Sequence, residues 1–136
     1  MSKTFQLMLL MICFLSSCSE NISDPNELTL TEVKIDLQTG FQNDDVYIRI
    51  DDKLYFYALF SGGERFSGPQ ASFITYLTKG QHEIEVRRLI NYNIYNIEFD
   101  SLFFEIESAD KYWIGIGIWS DSLYISFQDS AFIYGG

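Results

Sequence analysis

The chain has 136 residues, and 19 acidic against nine basic side chains leave a formal net charge of −10. That balance excludes a nucleic-acid surface and a body lying flat on anionic lipid, both of which need clustered cations. The length is enough for one ordinary hydrophobic core, so a single globular domain is expected.

At the N-terminus Lys3 precedes an apolar block from Phe5 to Leu15, broken only by Gln6 and followed by Ser16 and Ser17. A helix of eleven residues is roughly 16 Å long, far short of the roughly 30 Å hydrocarbon core, so the block reads as an export signal rather than a permanent span. Its junction, Leu15-Ser16-Ser17-Cys18, resembles the lipobox of bacterial lipoproteins. The resemblance implies cleavage before Cys18, diacylation of the thiol and usually a third chain on the new amino group. Two or more acyl chains make membrane attachment stable, where one is marginal. Residues 1–17 are then the signal peptide and Cys18 the lipid anchor. Loss of Lys3 and Cys13 moves the net charge to −11 and leaves no partner for an intrachain disulfide.

The stretch Ser19 to Glu27, SENISDPNE, is polar, contains Asp24-Pro25 and has one aliphatic residue, which makes residues 18–27 a lipidated tether. Glu20 and Asp24 resemble the acidic positions that follow the cysteine in surface-exported lipoproteins of the Bacteroidota. Ser19 differs from the aspartate of lipoproteins held in the inner membrane of enteric bacteria. The resemblance therefore implies the outer membrane of a Gram-negative cell, with the body facing the periplasm or the surface.

Residues 28–136 read as strands almost throughout. Leu28 to Leu37 alternates, as do Val46, Ile48 and Ile50 with Tyr47 and Arg49. A three-residue loop, Asp51-Asp52-Lys53, would pair Ile50 with Leu54, Ile48 with Phe56 and Val46 with Ala58, keeping every apolar residue on one face. A two-residue turn at Lys79-Gly80 would set Leu77 opposite His82 and Thr75 opposite Ile84. Another at Ser120-Asp121 would set Ile118, Ile116 and Ile114 opposite Leu123, Ile125 and Phe127. Between them Tyr95, Ile97 and Phe99 alternate, then Phe104 and Ile106. Eight to nine short strands with no helical window predict an all-β fold, an antiparallel two-sheet sandwich, with a small barrel as the alternative. The run Gly80-Gln81-His82-Glu83-Ile84-Glu85-Val86 resembles a hairpin of extracellular immunoglobulin-like sandwiches, and that resemblance implies a fold only.

No pattern for catalysis emerges. The chain has no G-x-S-x-G, P-loop or Cys-His pair, and most of its acids sit at outward positions or in turns. His82, the only histidine, falls on an inward register and has no second histidine or mature cysteine with which to hold zinc. Asn43-Asp44-Asp45 and Asp51-Asp52 offer oxygen ligands but lie about 23 Å apart along one strand, so they cannot share an ion. A non-enzyme with no cofactor and no metal is expected.

Aromatics are what remain. In Trp113-Ile114-Gly115-Ile116-Gly117-Ile118-Trp119 the isoleucines take the core face, leaving two tryptophans about 20 Å apart over a glycine floor, with Tyr124 opposite Gly117. Such a surface suits sugar rings or apolar groups of a partner. The alternative is structural packing, with Tyr124 covering a bare glycine in the sheet. Two loops add candidates: Arg65 and Phe66 in a glycine-rich stretch, and Tyr92 and Tyr95 among asparagines. The expected function is non-catalytic binding of a ligand such as a glycan, or docking on an envelope protein, by a lipid-anchored domain.

Overall fold

A computed structural model describes residues 28–62 and 68–134; Cys18, the signal peptide and the tether lie outside them. Eight strands follow in order: β1 (Leu30–Leu37), β2 (Asp44–Ile50), β3 (Lys53–Phe60), β4 (Ala71–Thr78), β5 (Gly80–Leu89), β6 (Ile97–Ile106), β7 (Lys111–Trp119) and β8 (Ser122–Gln128). One turn of 3-10 helix, Ile90–Tyr92, sits between β5 and β6. The first sheet has the order β4-β1-β7-β8 and the second β3-β2-β5-β6. Both sheets are open, so the molecule is a sandwich and not a barrel. No helix among the described residues is long and apolar enough to cross a membrane.

The core is the set of inward alternating residues from both sheets, among them Val33, Ile35 and Leu37 of β1, Val46, Ile48 and Ile50 of β2, Ile84 and Val86 of β5, and Ile114 and Ile116 of β7. Aromatic pairs fill its margins. Phe56 stacks on Phe73 at 4.8 Å along the β3/β4 side, and Phe127 contacts Tyr112 and Phe104 along the β6/β8 side. Every ladder is antiparallel except β1 with β7, which is parallel. The strict antiparallel sandwich is thereby corrected at one ladder.

The Ser120-Asp121 turn gives the expected register, Ile118 with Leu123, Ile116 with Ile125 and Ile114 with Phe127. Two other registers differ. At the β2/β3 hairpin Asp51 and Asp52 both take positive φ, 48° and 66°, and form a two-residue turn that pairs Ile50 with Lys53 and Arg49 with Leu54. A bulge between Ile48 and Arg49 then restores Ile48 to Phe56 and Val46 to Ala58. The consequence is that Leu54 leaves the core face and is 61% exposed.

At Lys79-Gly80 the expected hairpin is absent, because β4 belongs to the first sheet and β5 to the second. The chain turns a corner there, with Gly80 at φ 118°. Leu77, Thr75, His82 and Ile84 all face inward, but from opposite layers. Alternation reports which face a residue takes, and that face is the same whether two strands lie side by side or oppose each other across the core.

Candidate functional site

The outer face of the first sheet carries Trp113, Gly115, Gly117 and Tyr124, as the alternation requires. The glycine floor is filled. A Cβ on Gly117 would lie 2.7 Å from the Tyr124 hydroxyl oxygen, and one on Gly115 would meet Gln38, Phe132 and Ser126 within 2.9 Å. Phe132 belongs to the segment after β8, which lies over this face and is held by Tyr134. The Tyr134 hydroxyl donates to Asp36 Oδ2 at 2.8 Å, Ser72 Oγ donates to Asp36 Oδ1 at 2.6 Å, and Lys34 Nζ stands 3.3 Å from Oδ1. Asp36 is 1% exposed. The Tyr124 hydroxyl donates to Gln38 Oε1. Burial pushes the Tyr124 phenol above its ordinary value, and burial together with Asp36 does the same, more strongly, to Tyr134.

The sequence candidates are therefore not brought into one surface. Trp113 is half-buried beside Lys34 and Gln128, whereas Trp119 is 77% exposed at the end of β7. Tyr92 and Tyr95 lie in the β5–β6 connection at the same end of the sandwich as Trp119; Tyr92 donates to the Phe60 carbonyl at 2.7 Å, and Tyr95 is 91% exposed. The ends are joined by the Leu123 amide, which donates to Glu98 Oε1 at 2.7 Å. Arg65 and Phe66 lie outside the described residues.

A broader apolar surface lies on the outer face of the second sheet. Its edge strands expose Leu54, Tyr57 and Leu59 from β3 and Ile97, Phe99 and Phe103 from β6. Between them β2 and β5 contribute Tyr47, Arg49, Glu85, Arg87 and Leu89. Leu54 reaches this face through the bulge. Ile97, Phe99 and Phe103 reach it because β6 runs without a bulge, so the even-numbered positions, from Glu98 to Ile106, all point inward. A groove of about 350 Å³ crosses the face, lined by residues of all four strands: Leu54, Tyr47, Arg49, Arg87, Leu89 and Ile97. The signal in the sequence was parity. Ile97 and Phe99 are odd-numbered, Phe104 and Ile106 even-numbered, and an unbulged strand must put one pair outside.

Glu98, an inward acid of β6, has structural partners. Arg88, buried, places Nε 2.9 Å from Asp44 Oδ2 and Nη1 3.1 Å from Glu98 Oε2. Asp44 is thus not a turn residue but the fully buried first residue of β2. His82 is likewise engaged, with Nε2 donating to the Thr78 carbonyl at 2.8 Å and Nδ1 2.6 Å from Asp51 Oδ2. Asp51 also accepts the Glu83 amide at 3.0 Å. Partial burial works against the ionised Asp51 carboxyl, but the His82 and Glu83 hydrogen bonds outweigh it and hold its pKa below 3.8. Among the described residues no group of three or more His, Cys, Asp or Glu side chains is placed to hold a metal.

No family model matches the chain, and no curated protein or solved structure matches it. The functional reading rests on the sequence and the geometry alone.

Proposed function

We propose that this chain is a non-catalytic binding lipoprotein, anchored through lipid on Cys18 in the outer membrane, whose contact surface is the outer face of the second sheet. The observation that carries the reading is the exposure of six large apolar side chains there, from β3 and β6, in a chain of net charge −10. A solvated domain does not leave so many apolar groups on one sheet face without a use. The other outer face supports the same choice, because its glycines are already covered by Tyr124 and Phe132.

The contact is tested in cells producing the full chain, with a photo-reactive amino acid in place of Phe103 or of Trp113. Cross-links from position 103 and none from 113 are expected; equal yields from both would overturn the choice of face. An alkyne-tagged palmitate should label the chain and lose its label in Cys18→Ala, and labelling that survives that change would remove the anchor.

A second reading is favoured by Trp119 and Tyr95, both strongly exposed at one end of the sandwich. A glycan stacked there would change the fluorescence of Trp119. Loss of that response in Trp119→Phe, with the second-sheet contact intact, would assign the glycan to the end and the partner to the face.

A further inference from the structure

The groove across the second sheet has walls of one character and charges of one sign. Tyr47, Leu54, Leu89 and Ile97 make it apolar, and its only charged lining groups among the described residues are the guanidinium groups of Arg49 and Arg87. This is unexpected in a chain with nine basic residues against 19 acidic ones. The two arginines are not equivalent. Arg49 is engaged, with Nη1 3.6 Å from Glu85 Oε2 and Nη2 donating to the Asp52 carbonyl at 2.6 Å. Arg87 has no ion-pair partner among the described residues and lies over the Phe99 ring, 5.8 Å from its centroid.

We propose that this groove binds a small carboxylate with an apolar body, the carboxylate being held by Arg87. The proposal deepens the reading of this face as the contact surface and rests on it. A guanidinium presents a planar fork that matches both oxygens of a carboxylate, and contact with an aromatic ring fixes its plane while leaving its N–H edge open. A volume of about 350 Å³ falls at the lower end of the range for small-molecule sites, where apolar walls and a few polar groups divide affinity from orientation. Glu85 contributes by holding Arg49, so a single anion meets one uncommitted cation. Since the chain as a whole repels anions, an anion without an apolar body has little to hold it there.

The test uses the full chain in nanodiscs of uncharged lipid and the water-soluble probe 6-fluoro-2-naphthoate, read by fluorine NMR line broadening. The isosteric primary amide and the corresponding naphthylmethylamine are the comparison probes. The carboxylate should bind at least tenfold more tightly than the amide, and the amine should bind least. Arg87→Gln should remove the tenfold preference by weakening the acid far more than the amide, while Leu54→Ser should weaken acid and amide alike. Thermal unfolding of both variants establishes that they fold; if Arg87→Gln does not, Arg87→Lys, which keeps the charge but loses the fork, should retain less than half of the preference. Equal binding of acid, amide and amine, or full preference in Arg87→Gln, would overturn the proposal. Failure of naphthoate to bind while cross-links from position 103 persist would overturn the carboxylate and leave the face standing. Loss of both would overturn the face itself.

Discussion

The two outer faces of this sandwich come from the same alternating code and end as opposites. On the first sheet the outward positions include glycines, and the space they leave is occupied by Tyr124, Phe132 and a hydrogen-bonded cluster around the buried Asp36. On the second sheet the outward positions of the edge strands include leucine, isoleucine, tyrosine and phenylalanine, and these stay largely exposed, with only the Arg87 guanidinium lying over Phe99 among the described residues. Around Gly115 and Gly117 small outward residues made a patch that closes on itself, while the large outward residues of the second sheet, like Ile74 and Tyr76 at the β4 edge of the first, stay open. The size of the outward side chain, more than its polarity, separates a finished surface from an available one.

If that comparison is right, the first face should behave as interior. The largest effect is expected from Asp36→Ala, which strands the Ser72 hydroxyl, the Tyr134 hydroxyl and the Lys34 ammonium around a site that is 1% exposed. A loss of about 2–4 kcal/mol in urea unfolding follows from leaving several polar groups without their acceptor. A loss under 1 kcal/mol would mean that the segment after β8 merely rests on the sheet.

Gly117→Ala comes next. Its Cβ would fall 2.7–2.8 Å from the Tyr124 ring and hydroxyl, so the ring must move and with it the hydrogen bond to Gln38. Overpacking of this kind costs about 1–3 kcal/mol. Gly117→Ala combined with Tyr124→Ala should recover part of that loss, since the clash is with that ring, and unfolding of the double variant checks it.

The closed face also predicts an alkaline limit. The folded-state phenol pKa values of Tyr124 and Tyr134 are raised above 10.0, first by burial and, for Tyr134, also by Asp36. The neutral phenols therefore contribute stability that is fully present below about pH 10 and lost as the pH rises through the higher folded values. Unfolding followed from pH 9 to 12 should show that decline, and Tyr134→Phe should flatten part of it. An identical slope in Tyr134→Phe would detach Tyr134 from the closure.

Much of this contrast was legible before any coordinates, and the rest was hidden for definite reasons. The β7/β8 register could be read in full because its isoleucines alternate without interruption through a two-residue turn. The β2/β3 register was readable only beyond the bulge, since one extra residue exchanges the faces of everything on one side of it, and Leu54 lay on that side. The β4–β5 corner was invisible to alternation, which does not distinguish a neighbour in the sheet from one across the core. Arg88 and Glu98 break the rule that charges point outward, and they do so as ion-pair partners, Arg88 also engaging Asp44, 44 positions away in the sequence. For the proposed site, the aromatic content implied that some rings stay exposed, but where they stay exposed depended on which glycines were covered. That is a property of the segment around Phe132, whose own sequence has no alternation to read.

The smallest stability effect, and the sharpest discrimination between the faces, is expected from Phe103→Thr. Phe103 is 72% exposed on β6, opposite Glu83, and threonine suits a strand, so little packing is lost and the unfolding free energy should change by no more than about 0.5 kcal/mol. The same change at Phe132 removes the ring that covers Gly115 and should cost more, because the ring is half-buried and its removal opens the floor to water. Binding should rank the two in the reverse order. Phe103→Thr should lose contact with whatever engages the second sheet, and Phe132→Thr should keep it as long as the domain is folded. Were Phe103→Thr to cost as much stability as Phe132→Thr, the open face would be serving the fold, and the distinction between the two surfaces would fail at the residue where it is most exposed.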